Sequence, residues 1–232
     1  MQCASYDKAL EWNAKALKKA EENELVDNPI SADVHIMKAA IHYANEQFDE
    51  ALKLDFKALS ILQNHYQEEH ADIGAVHNSI AREYFALRQY GTALENYMKV
   101  KKIYESVYGE DDSDTAEVYG SIAMTYIKLE NYENALEWCL KALESQKKAL
   151  GAEHPETILR HSILSEIYEH LEMNEKAIVH LTLIRNFYIK NEREEIVRIV
   201  NERIADNYDK MGNHFESGNY RKMAVMQGGC NE

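Results

Sequence analysis

Apolar residues along the chain recur three, four and seven positions apart, the spacing that sets one side of a helix against a core. Two such stretches alternate through most of its length: Thr115 to Leu129 predicts a first helix and Tyr132 to Ala149 a second. Only Glu130 and Asn131 separate them, so the two must lie antiparallel.

The pattern repeats on a fixed ruler. "HADIGAVHNSIAREYFALRQYGTALENY" starts at His70, "DSDTAEVYGSIAMTYIKLENYENALEWC" at Asp112 and "HPETILRHSILSEIYEHLEMNEKAIVHL" at His154, each about 42 residues after the last. A fourth window starts in phase at Asn28. Small residues share one column (Ala39, Ala81, Ala123, Ser165), and rings follow three later at His42, Tyr84, Tyr126 and Tyr168. Another ring column holds Phe48, Tyr90 and Tyr132, broken by Asn174. Ala9, Ala51, Ala93, Ala135 and Ala177 form the strictest column, and Ala16, Ala58, Val100, Ala142 and Ile184 a further one. Helices approach closely only where side chains are small, so these columns read as core.

The breakers obey the same ruler. Pro29 and Pro155 are expected just before first helices, where a missing N–H costs nothing, and Gly109 and Gly151 at the ends of second helices.

The small residue, ring and alanine of each unit, here Ile80-Ala81, Tyr84, Ala93, Tyr97 and Val100, resemble the tetratricopeptide repeat. The 42-residue spacing, with junctions "YGEDDSDT" and "LGAEHPET", is similar to the longer variant of kinesin light chains and many bacterial proteins. "HNSIAREY" resembles their Asn-Asn-Leu-Ala segment. The resemblance implies an all-α fold, a right-handed superhelical solenoid of antiparallel helix pairs over residues 1–228. Regular repeats are expected at 28–65, 70–107, 112–149 and 154–190. A degenerate terminal repeat is expected at 193–226, offset by 40 rather than 42 and with Gly218 inside its second helix. Residues 4–23 match a lone second helix, and 227–232 read as a disordered tail. The lone helix either caps the array or marks a fragment of a longer protein, and the fragment is the favoured reading.

Composition narrows the function. The net charge of −14 argues against a nucleic-acid partner, because a polyanion needs clustered Lys and Arg. No apolar run is long enough to span a membrane, and "MQCASYDKAL" is not a signal peptide. Three cysteines without a Cys-x-x-Cys pair suit a reducing cytoplasm.

Candidate chemistry is thin. His35, His77 and His161 share a column with Tyr119, which reads as packing between the two helices of a repeat. His70 and His154 stand at junctions and read as turn or cap residues. No zinc-type His pair, glycine-rich phosphate loop or Gly-x-Ser-x-Gly elbow occurs. Cys139 shares a column with Asp55, Tyr97 and Leu181 and follows packing. No catalytic residue, metal site or cofactor is assigned, and an enzyme is not expected.

What the resemblance implies is a protein or peptide ligand in a concave groove lined by the first helix of each repeat. Carried over by position, the candidate ligand residues are Ile36, Tyr43, Asn78, Arg82, Phe85, Met124, Ile127, Glu166 and Asp206. For Ile36, Tyr43, Phe85 and Ile127 the alternative is partial burial between neighbouring helices. The lysine and asparagine clamp of chaperone-binding relatives is absent, which speaks against capture of a free C-terminal carboxylate. Apolar and aromatic lining in the first three repeats gives way to acids in the last two. An amphipathic or extended ligand, with basic residues towards the C-terminal repeats, fits that gradient. Two rivals stand beside this scaffold: a peptide-sensing regulatory module of a larger bacterial signalling protein, and a self-assembling array joined through the N-terminal helix.

Overall fold

The computed structural model describes residues 28–226. Among them are ten helices and no strand: α1 (Pro29–Ala44), α2 (Phe48–His65), α3 (Ala71–Ala86), α4 (Tyr90–Val107), α5 (Ser113–Lys128), α6 (Tyr132–Leu150), α7 (Pro155–His170), α8 (Asn174–Lys190), α9 (Glu194–Lys210) and α10 (His214–Met226). Consecutive helices pack as pairs α1/α2, α3/α4, α5/α6, α7/α8 and α9/α10. The chain divides into two compact units, one ending at Glu110 and the other beginning at Asp111. The first holds the first two pairs and the second the other three. The lone helix expected at 4–23 and the tail at 227–232 lie outside the described residues.

Each first helix of the four regular repeats starts on a side chain that accepts a backbone N–H, satisfying one of the donors that a helix start leaves open. Asn28 Oδ1 accepts from Ile30 (3.0 Å), His70 Nδ1 from Asp72 (3.2 Å), Asp112 Oδ1 from Asp114 (2.8 Å) and His154 Nδ1 from Glu156 (3.3 Å). Pro29 and Pro155 follow as the first helical residue, one place further in than the sequence reading put them. The reason they are tolerated is unchanged, since the first N–H of a helix has no partner to lose.

Within each regular repeat the turn is built on one residue of positive φ, although none is glycine: Glu46 (59°), Arg88 (60°), Glu130 (57°) and Glu172 (57°). The next N–H bonds back five residues, Gln47 to His42 O (2.9 Å), Gln89 to Tyr84 O (2.8 Å), Asn131 to Tyr126 O (2.9 Å) and Met173 to Tyr168 O (2.8 Å). That bond closes the exposed end of the first helix and turns the chain back on itself. The fifth repeat uses Gly212 (75°), 40 residues after Glu172. The shift from 42 to 40 arises before it: α8 and α9 are joined by the short turn at Asn191 to Arg193, with Glu192 at positive φ, instead of a longer junction carrying Gly109 or Gly151.

The small-residue columns form the core. Ala51, Ala93, Ala135 and Ala177 have no exposed surface, and neither do Ala58, Val100 and Ala142. In the second unit, Ala123, Ala135, Leu143, Leu164, Ile167 and Ala177 gather into one cluster, and Leu181, Ile184, Val200 and Ile204 join another.

Candidate functional site

The first helices meet side by side inside each unit. In the first unit the Arg82 guanidinium of α3 lies 4.9 Å from the centre of the Tyr43 ring of α1. In the second, Arg160 of α7 reaches over Gly120 of α5, where even a methyl group would collide with its guanidinium. Arg203 and Asn207 of α9 hold Glu169 of α7: Arg203 Nη2 donates to Glu169 Oε2 (2.8 Å) and Ser165 Oγ (3.1 Å), Asn207 Nδ2 to Glu169 Oε1 (2.9 Å).

The candidate ligand residues are placed unequally on this face. Arg82, Glu166 and Asp206 are exposed; Ile36, Asn78 and Met124 are half-buried. Tyr43 and Phe85 are half-buried and set edge-on to the first ring of the following helix, Phe48 at 5.4 Å and Tyr90 at 5.3 Å. Ile127 sits inside the core cluster of the second unit, 8% exposed, and presents almost no surface. It follows the core alternative: in the column that holds Phe85, the shorter Ile127 side chain stays within the cluster.

Two further apolar residues share the register of the candidates. Leu159 on α7 (58% exposed) and Ile199 on α9 (46%) occupy the column of Asp33, Ala75 and Glu117. Apolar surface therefore continues into the last two repeats. The acids there are partly spoken for as well: Arg221 bonds Asp206 and Asp209, each at 2.8 Å, and Glu169 is held by Arg203. The gradient from apolar to acidic is shallower than the residue types alone suggest.

The histidine column is structural. His77 bonds Asn96 (3.0 Å), His161 meets His180 Nδ1 to Nδ1 (2.7 Å), and Tyr119 packs on Trp138, all first-helix to second-helix pairs within one repeat. Burial holds His77, His161 and His180 below the usual imidazole range, His161 at about 4. Burial likewise pushes the Cys139 thiol up to about 12, so it forms no thiolate at neutral pH. Among the described residues, no three His, Cys, Asp or Glu are grouped to hold a metal ion.

The first unit also has a cleft of about 470 Å³, lined by Phe56, Leu59, His77, Asn96, Lys99 and Ile103 among others. Of its buried polar groups, His77 Nδ1 bonds Asn96 Oδ1, and Asn96 Nδ2 donates to Thr92 O (2.9 Å).

A family model described as "Tetratricopeptide repeat" matches residues 31–106 and 114–190, and the chain belongs to that family. Comparison with curated proteins gives no match. Among solved structures the fold is similar to BtubC (BKLC) from P. vanneervenii, with TM-score 0.75 and 15% identity over 98% of this chain and 94% of that one. It is similar to nearly identical TPR-like repeats of a candidate kinesin light chain from Podosopora anserina, with TM-score 0.73 and 20% identity over 87% and 96%. It also resembles YrrB, a TPR protein with an unusual peptide-binding site, with TM-score 0.65 and 15% identity over 93% and 94%. At these identities the likeness is one of fold. The all-α, kinesin-light-chain-like repeat architecture and a general role in protein interaction follow from family and fold together.

Proposed function

We propose that the chain is a non-catalytic scaffold whose first-helix face binds an extended or helical peptide segment of a protein partner in the cytoplasm. The observation that carries the reading is the split character of the first helices. One side of each is sealed in the core by small residues, and the other holds Met37 and Arg82 in the first unit, and Met124, Leu159 and Ile199 in the second, at least partly in solvent. YrrB, a protein of similar fold, has a peptide-binding site, which supports the same use here. Apolar anchors supply affinity, and Glu166 with the acidic surface of a −14 chain favours a ligand carrying basic residues.

Selection of displayed random peptides on the full chain tests this. Selected peptides should combine apolar anchors with Lys or Arg. Met124→Ala or Leu159→Ala should weaken them about 30-fold, the effect of losing a buried anchor worth about 2 kcal/mol. Glu166→Lys should weaken basic peptides most at low salt. Binding that ignores all three substitutions would remove this face from the function.

A further inference from the structure

Two carboxyl groups stand where the other regular repeats have uncharged core residues. Asp55 on α2 shares its column with Tyr97, Cys139 and Leu181, and Glu83 on α3 shares its column with Ile41, Thr125 and Ile167. All eight are buried, Asp55 and Glu83 to 1% exposure. The two carboxyls face each other where the second helix of one repeat packs on the first helix of the next. While the pair holds a proton, Glu83 and Asp55 hydrogen-bond each other; once both are ionised each can only accept, and no other donor reaches Asp55 or Oε2 of Glu83 among the described residues.

Once that proton leaves, only a donor from outside the pair can complete it. Asp55 and Glu83 form the floor of a pocket of about 160 Å³ whose walls are Ala40, Tyr43, Ser79 and Arg82. Ala40 and Arg82 are exposed first-helix residues, so the pocket opens on the face assigned above to the ligand. The Arg82 guanidinium over the Tyr43 ring shows that the wall already accepts a cation.

We propose that this pocket receives the cationic end of a Lys or Arg side chain from the bound segment, its charge between Asp55 and Glu83 and its stem against Tyr43. The inference rests on the peptide-binding reading of the first-helix face and adds a specificity site to it. Burial raises both carboxyls well above the ordinary range; repulsion from Asp55 and the hydrogen bond to it raise Glu83 further, that same bond draws Asp55 down, and Arg82 opposes the rise of Glu83. The empty pair therefore retains a proton, which leaves to solvent as the cation enters. Arg82 is the charged neighbour acting on the pair, and it competes with the incoming group at the mouth.

The probe is n-butylammonium, titrated into the full chain by calorimetry in buffers of different ionisation enthalpy. Saturable binding with proton release is expected, tighter at about pH 8 than at about pH 5 as the pair ionises. n-Butanol should not bind, and Arg82→Ala should strengthen binding by removing a like charge. Asp55→Leu with Glu83→Ile installs the residues of the Leu181 and Ile167 columns and should weaken binding more than about tenfold. Asp55→Asn, which keeps the shape, should do the same in part. No saturable binding, or equal binding by the double variant, overturns the proposal. If displayed peptides still depend on Met124 and Leu159 in that case, only this pocket fails; if they do not, the face itself fails.

Discussion

At the residue scale, the buried polar groups set how stability responds to pH. The Asp55–Glu83 pair holds protons more tightly in the folded than in the unfolded chain. Its contribution is complete below the ordinary carboxylate range and is lost as pH rises through the raised values. Asp55→Leu with Glu83→Ile should therefore flatten the alkaline side of the stability profile and add on the order of 1–4 kcal/mol at about pH 8, measured by urea unfolding. His161 has the opposite sign. Its value is depressed from 6.5 to about 4, so its contribution is present above 6.5 and lost as pH falls towards 4. Burial, then His180 on α8 and Lys147 on α6, oppose its protonation. His161→Tyr, the residue of the Tyr119 position, should reduce the acid loss by up to about 3 kcal/mol. A third case is steric. A methyl group on Gly74 would sit 2.7 Å from Tyr104 Cε1 and 3.0 Å from Ile103 Cγ2, both buried. Gly74→Ala should cost about 1–2 kcal/mol in denaturant unfolding, overpacking outweighing the better helix former.

At the scale of elements, helices and turns differ in how plainly the sequence marks them. Helix starts were legible because Asn28, His70, Asp112 and His154 recur in phase and carry acceptors. The turns inside repeats were legible only as short links. The sequences at Glu46, Arg88, Glu130 and Glu172 share no residue type that demands positive φ, and the conformation is imposed by the packing of the helices on either side. Glu130→Gly should accordingly stabilise the second unit by up to about 1 kcal/mol, as the left-handed backbone loses its side-chain clash. Gly212→Ala should destabilise it by about 1 kcal/mol for the same reason reversed, and thermal unfolding of the two variants beside the parent reads both.

At the scale of the whole molecule, repetition decided what could be known in advance. A column of five alanines can be read from sequence because every copy solves the same packing problem, and noise in one copy is outvoted by the others. The helix pairs, their caps and the core columns were determined this way, as was the family. The candidate site is where each copy departs from the rest, and there the voting stops. Whether Ile127 reaches solvent, whether Asp206 is free or held by Arg221, and whether Asp55 meets Glu83 depend on residues from neighbouring helices arriving at one place. A single residue's type carries no record of its neighbours across a helix interface. The sequence by itself thus determined the period, the helices and the small-residue core, because those rest on local spacing. Only the tertiary structure decided which side chains are exposed, which charges are paired and which buried acids meet, because those rest on contacts between helices.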